Sequence, residues 1–286
     1  MASLLDYLTQ LQSRGQSHVY LDDGARGVLR SLYQKARDAG RPKPKPAVVA
    51  LNRAVEKVAS VEEEPTAPTQ PTFTVEPTTG SHRERLTALQ NRLDSFPKSD
   101  SLRDTLVFST GNPGADIMLV GEAPGFEEER HLTPFVGPAG QKLNGILKAM
   151  NLSRDDVYIT NTVKFRPVIP NQKTGNRRPT SEEIATFLPV LREEISIVEP
   201  KVIVALGSTA IEALTGGKKA VAVARGQWFD FQGLPVRASY HPSYLLHNEK
   251  SVKDKRAVWE DMLAVMERLN LPISEKQRGF FQPKTS

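Results

Sequence analysis

Asp116-Ile-Met-Leu-Val-Gly121-Glu122-Ala-Pro-Gly125 sets four consecutive apolar residues against a turn that carries an acid between two glycines. Such a run, closed by glycine, describes a strand buried on both faces that leads into a loop. The same texture recurs downstream. Val157–Thr160 and Val202–Leu206 read as further strands, the latter ending at Gly207, and Pro235–Ser239 supplies a fourth. Between them lie helical spacings. Ala139–Met150 puts Leu143, Ile146, Leu147 and Met150 on one face. Ser181–Val198 starts with Ser181 as expected cap and Glu182 and Glu183 in the first turn. Ser208 is expected to cap a helix after the third strand, Arg83–Leu93 precedes the first strand, and Asp254–Leu269 closes the domain. Strands alternating with helices predict a three-layer α/β/α sandwich around a central, mostly parallel four-stranded sheet. In such sheets the site lies beyond the carboxyl ends of the strands.

Outside this pattern the chain changes character. Residues 1–40 are expected to form a helical N-terminal arm, with Leu4, Leu5, Leu8 and Leu11 on one face and Val28, Leu29, Leu32, Tyr33 and Ala36 on another. Residues 41–80 begin with Arg-Pro-Lys-Pro-Lys-Pro and end in a Pro/Thr-rich run, the composition of a disordered linker. The folded domain is expected over 81–270 and a flexible tail over 271–286. No apolar run approaches the roughly 20 residues of a membrane span, and no secretion signal is visible; a cytoplasmic monomer is expected, its arm free to meet an unknown protein partner. The 286 residues include no cysteine, which excludes disulfides and thiolate-held metals or clusters. A net charge of +5 suits a polyanionic partner.

Four clusters stand at or after strand ends. They are Gly121–Gly125 followed by Glu127, Glu128 and Glu129; Pro134-Phe135-Val-Gly137-Pro-Ala-Gly140; Asn161-Thr-Val-Lys164-Phe-Arg166-Pro167; and His241-Pro-Ser243-Tyr244-Leu245-Leu246. A glycine-rich turn is common, and a lone histidine more often packs than catalyses. The weight lies in their joint order.

Together the four motifs resemble the uracil-DNA glycosylase superfamily, most closely its family 4, over about residues 106 to 248. The resemblance implies excision of uracil from DNA in base excision repair: hydrolysis of the N-glycosidic bond of a flipped nucleotide, with an abasic site left behind. It implies that Phe135 stacks on the base and that Asn161 pairs with uracil N3–H and O4, a polarity cytosine reverses. His241 would donate to O2 as charge develops there. Glu122, with Glu128 as a second candidate, would stabilise the sugar cation and orient water. Gly121 and Ala123 would let the backbone approach the base. Ser243, Tyr244, Leu245 and Leu246 look like the loop that fills the vacated stack. Lys164, Arg166, Lys173, Arg177 and Arg178, five basic residues with no acid among 164–178, are expected to meet phosphates, together with Ser208. For Glu127 and Glu129 a solvated turn is expected, and His131 has no role.

The sequence also departs from that family. Family 4 enzymes usually hold a four-iron cluster on four cysteines. Here Phe165 and Phe187 occupy two ligand positions, and Ser99–Val107 offers no counterpart to the other two. No cofactor is therefore expected, with apolar packing replacing the cluster. The loop after Pro167 is longer than usual, and residues 168–180 lack the histidine of a covalently trapping relative. Two rival readings stand beside excision: a non-catalytic binder of uracil-containing or single-stranded DNA on the same fold, and a nucleotide-binding enzyme using Gly121–Gly125 as a phosphate loop. The second lacks the Gly-Lys-Ser/Thr ending and the dinucleotide spacing.

Overall fold

The computed structural model describes residues 79–96 and 99–282. The arm expected over 1–40 and the linker as far as residue 78 lie outside the described residues.

Helix α1 (His82–Asp94) leads into β1 (Leu102–Leu106), β2 (Ser109–Gly111) and β3 (Ile117–Gly121). Helices α2 (Phe126–His131) and α3 (Pro138–Ala149) follow, then a 3₁₀ turn at Arg154–Asp156, β4 (Tyr158–Asn161) and β5 (Phe165–Pro167). The second half runs α4 (Ser181–Val198), β6 (Val202–Leu206), α5 (Ser208–Thr215), α6 (Val221–Ala224), β7 (Trp228–Phe231), β8 (Leu234–Ser239), α7 (Pro242–His247), α8 (Val252–Arg268) and α9 (Glu275–Arg278).

The main sheet has the order β2-β4-β3-β6-β8-β7. Its four inner strands, β4, β3, β6 and β8, are parallel, as the apolar runs predict. Two antiparallel edge strands extend the expected four to six: β2 pairs β4, and β7 pairs β8. The β7–β8 hairpin turns on Gln232 (φ 56) and Gly233 (φ 85), two positive-φ residues as a two-residue type I′ loop requires. A separate ribbon pairs β1 with β5.

Side-chain alternation divides the core. Met118 and Val120 of β3 face a layer built from α1, α4 and α5, including Leu89, Phe187, Leu191 and Ile211. Ile117 and Leu119 face α3 and α8 on the other side, including Leu143, Leu147, Trp259 and Met266. Burial on both faces is why each strand reads as an unbroken apolar run.

Three expectations are corrected. The cap of α4 is Thr180, not Ser181: Thr180 Oγ1 accepts from the Glu183 amide at 3.2 Å, and Glu183 accepts from the Thr180 amide at 2.8 Å. Gly207 (φ 88) caps α5, and Ser208 is its first helical residue, because an L side chain at that φ is strained. The described part of the expected flexible tail, 271–282, is docked. Trp259 Nε1 donates to the Gln277 carbonyl at 2.6 Å, and Gln277 Nε2 donates to the Ala149 carbonyl at 2.8 Å.

The two phenylalanines expected at cluster-ligand positions meet in the core. The Phe165 ring lies 5.7 Å from that of Phe187, and the Phe96 ring lies 5.3 Å from it. Aromatic rings offer no ligand to iron, and the chain has no thiolate, so these residues do not fit a cluster. Among the described residues no group of three or more His, Cys, Asp or Glu is arranged to hold a metal ion, and no helix is long and apolar enough to cross a membrane. Because Phe187 is fully buried and touches two other rings, Phe187→Ala is expected to lower stability by about 3–5 kcal/mol in urea unfolding. A loss under about 1 kcal/mol would show that this trio is not the staple of that corner.

Candidate active site

The four parallel strands end at one edge, and the loops leaving them build a cavity of about 200 Å³. Glu122, Ala123, Gly125, Glu128, Phe135 and Asn161 line it, with His241 after β8, Ser243 in the first turn of α7, and Asn176 and Arg177 from the long loop before α4. Phe135, Asn161 and His241 therefore share one cavity. The Phe135 and His241 rings lie 5.5 Å apart, tilted by 32°. A Cβ at Gly121 would collide with Asn161 Oδ1 and the Phe135 ring, so only glycine lets these side chains converge.

Phe135 is buried with φ 56, a left-handed conformation costly for a bulky residue. Arg154 holds it there, donating to the Phe135 carbonyl at 3.0 Å and to the Pro134 carbonyl at 2.7 Å. Arg154 escaped sequence reading, since nothing in its 3₁₀ turn signals a reach to a loop twenty residues earlier. Asn161 closes β4 with its side-chain amide unpaired among the described residues, so that a donor and an acceptor remain for a ligand.

His241 caps α7. Its Nδ1 accepts from the Ser243 backbone amide at 3.2 Å and lies 2.7 Å from Ser243 Oγ. A backbone amide can only donate, so Nδ1 carries the lone pair and the proton sits on Nε2. Burial lowers the ring's pKa to about 4, and the imidazole is neutral at physiological pH. Neutral His241 thus keeps one N–H for the cavity. Burial raises the pKa of Glu122, opposed by a hydrogen bond with Thr209 and the charge of Arg178.

Glu128 lines the cavity and also braces its rim. Its Oε2 accepts from the Gly125 amide at 3.1 Å, and its Oε1 accepts from the Val136 and Gly137 amides at 3.2 and 2.9 Å. Both oxygens tie one lip of the cavity to the other. Glu129 is no solvated turn residue either, because it pairs with Arg103 and Arg166 at 3.0 Å each.

The basic loop faces inward more than expected. Lys164 is fully buried and ion-paired with Glu194; its Nζ donates to the Asn161 carbonyl at 2.7 Å and to Thr160 Oγ1 at 2.6 Å. It cannot reach a phosphate. Arg166, also buried, donates to Glu129, Asn176 Oδ1 and the Lys173 and Gly175 carbonyls. Arg177 forms a bidentate pair with Glu183 at 2.7 and 2.8 Å and donates to the Ser101 and Val168 carbonyls. Arg178, still 44% exposed, donates to Glu212 at 2.6 Å and to Thr209 Oγ1 at 3.0 Å. The expected loop after His241 is helix α7: Leu245 is buried and lines a second cavity with Ile146 and Trp259, Leu246 is half-buried, and Ser243 is engaged with His241. Tyr244 is 38% exposed and stacks on Tyr240 at 4.4 Å. Half-buried Ser208 lies outside the residues lining the cavity.

An aromatic face, an unpaired amide, a neutral imidazole donor and a carboxylate around one cavity define a site for a planar heterocycle with alternating donors and acceptors. The sequence profile of the Uracil DNA glycosylase superfamily matches residues 108–263. A Type-4 uracil-DNA glycosylase of Thermotoga maritima is 44% identical over 162 residues, 56% of this chain and 81% of that one. One from Sulfurisphaera tokodaii is 38% identical over 155 residues, 51% and 68% of the two chains. A Type-5 uracil-DNA glycosylase of Pyrobaculum aerophilum is 34% identical over 175 residues, 55% and 72%. The chain belongs to the uracil-DNA glycosylase superfamily.

Removing one member of the buried Lys164–Glu194 pair strands the other. Lys164→Met is expected to cost about 3–5 kcal/mol in urea unfolding, most of it recovered by adding Glu194→Leu. A phosphate-binding lysine would instead leave stability unchanged and flatten the salt dependence of DNA binding.

Proposed function

We propose that this chain is a DNA-repair glycosylase that hydrolyses the N-glycosidic bond of uracil in DNA, releasing uracil and leaving an abasic site, with no cofactor in the reaction. The observation that carries the reading is the convergence of Phe135, Asn161 and His241 on one cavity, in a chain whose relatives are uracil-DNA glycosylases.

The roles follow from the chemistry of each group. An everted base enters the cavity and lies against Phe135. The unpaired Asn161 amide accepts from uracil N3–H and donates to O4. Cytosine presents the reverse polarity and leaves both partners unsatisfied, at roughly 1–3 kcal/mol each. As the bond breaks, negative charge gathers on O2. Neutral His241 meets it with Nε2–H, a donor already oriented by Ser243 and needing no reorganisation. Positive charge gathers on the sugar, where ionised Glu122 offsets it and orients the attacking water. Glu128, held on both oxygens by backbone amides, is the less available of the two carboxylates for that work. Tyr244 is the exposed residue suited to enter the gap in the stack.

A uracil-containing oligonucleotide, treated with the protein and cleaved by alkali at abasic sites, tests the reading: strand scission is expected with uracil and not with cytosine or thymine. Asn161→Asp is expected to release some cytosine, because a carboxylate accepts from its exocyclic amine. Binding of uracil-containing DNA without scission would favour the non-catalytic alternative, and an unchanged base preference in Asn161→Asp would remove the amide from base recognition.

A further inference from the structure

Among the described residues the exposed large apolar side chains are Leu132, Val223, Tyr244, Val252 and Phe281. Two of them adjoin the cavity in the chain. Tyr244 follows Ser243, which lines it, and Leu132 falls between Glu128 and Phe135, which line it too. The chain leaves the cavity at Gly125, runs through α2 and returns at Phe135, and Leu132 stands at the turn. It precedes Phe135 by three residues, at most about 11 Å of extended chain.

Neither backbone preference nor burial accounts for a leucine there. Leu132 ends α2 with φ 53 and ψ 28, the left-handed conformation that glycine usually supplies at a helix end. Its side chain is 62% exposed, so burial returns little for that strain. The turn is nevertheless firmly held. The Leu132 and Thr133 amides both donate to the Glu128 carbonyl, and Thr133 Oγ1 donates to the His131 carbonyl at 3.0 Å. Arg154 then clamps the carbonyls of Pro134 and Phe135. An apolar side chain is thus presented to solvent on a braced rim.

We propose that Leu132 is a DNA-contact residue that packs against a base flanking the everted nucleotide, while Tyr244 enters the gap itself. The inference rests on the glycosylase reading above and adds the α2 turn to its DNA footprint. Eversion uncovers the faces of neighbouring bases, and an apolar side chain that covers one of them becomes buried only in the complex. The contact matters most in a duplex, where eversion breaks both pairing and stacking. A single strand yields its base with little resistance.

Single-turnover excision of uracil from a duplex and from the same strand alone, with thermal melting of the protein, tests this. Leu132→Gly is expected to melt at least as high as wild type, because glycine adopts the left-handed turn without strain. It is expected to excise from the duplex about tenfold more slowly, the order set by one leucine losing its burial. Excision from the single strand stays within about twofold of wild type. Leu132→Asn, which tolerates the turn but is polar, behaves like the glycine variant. Leu132→Met keeps the apolar bulk and the duplex rate. Equal losses on duplex and single strand overturn the proposal, as does a duplex rate unchanged in Leu132→Gly and Leu132→Asn. So does a Leu132→Gly protein that melts below wild type, because the fold then accounts for the leucine. A wild-type chain that excises uracil from neither substrate overturns the glycosylase reading instead, so the two failures are distinct.

Discussion

One buried ammonium joins the helical layer to the floor of the site. Lys164 is enclosed completely, ion-paired with Glu194 of α4, and donates to the Asn161 carbonyl and to Thr160 at the end of β4. Glu194 gathers further donors from Tyr158 and Thr160 at 2.9 Å each. A charge in that position is tolerable only with every partner in place, which makes the network an all-or-none support. It fixes the backbone of Asn161, whose amide, on the proposed function, determines which base the cavity accepts. Gly121, closely packed against both Asn161 and Phe135, and Arg154, clamped on the Phe135 carbonyl, complete the frame.

Much of the architecture was legible in the chain because parallel strands buried on both faces leave unbroken apolar runs. Ile117–Val120 and Val202–Leu206 are such runs, and the motif residues follow directly from their ends. The edge strands were not legible for equally physical reasons. Ser109–Gly111 is three residues long, and Trp228–Phe231 is only partly covered, so neither shows a contrast in polarity. Among the site residues, Phe135, Asn161, His241 and Glu122 carried motif signals and converge on one cavity. The basic loop misled because charge counting is local while ion pairing is not. Residues 164–178 contain no acid, yet Glu129 of α2, Glu183 and Glu194 of α4 and Glu212 of α5 reach the loop from other elements. Arg154 was invisible for the same reason: its partners are set by tertiary contact.

The chain also holds a corner of the domain together by aromatic packing. Phe165 and Phe187, at the positions expected for two cysteine ligands, meet as tilted rings, and Phe96, just after α1, packs on Phe187, so that β5, α4 and the end of α1 are joined by apolar contact. Such packing is insensitive to oxidants and iron supply, but it depends on shape, since an interior packed to crystal density tolerates a missing ring poorly.

A crystal structure with uracil bound tests the central claim most directly. The account predicts the base lying against Phe135, its N3 and O4 on the Asn161 amide, and its O2 at about 2.7–3.2 Å from His241 Nε2. Uracil bound elsewhere, or inside the cavity with Asn161 turned away or His241 protonated on Nδ1 rather than Nε2, would contradict it.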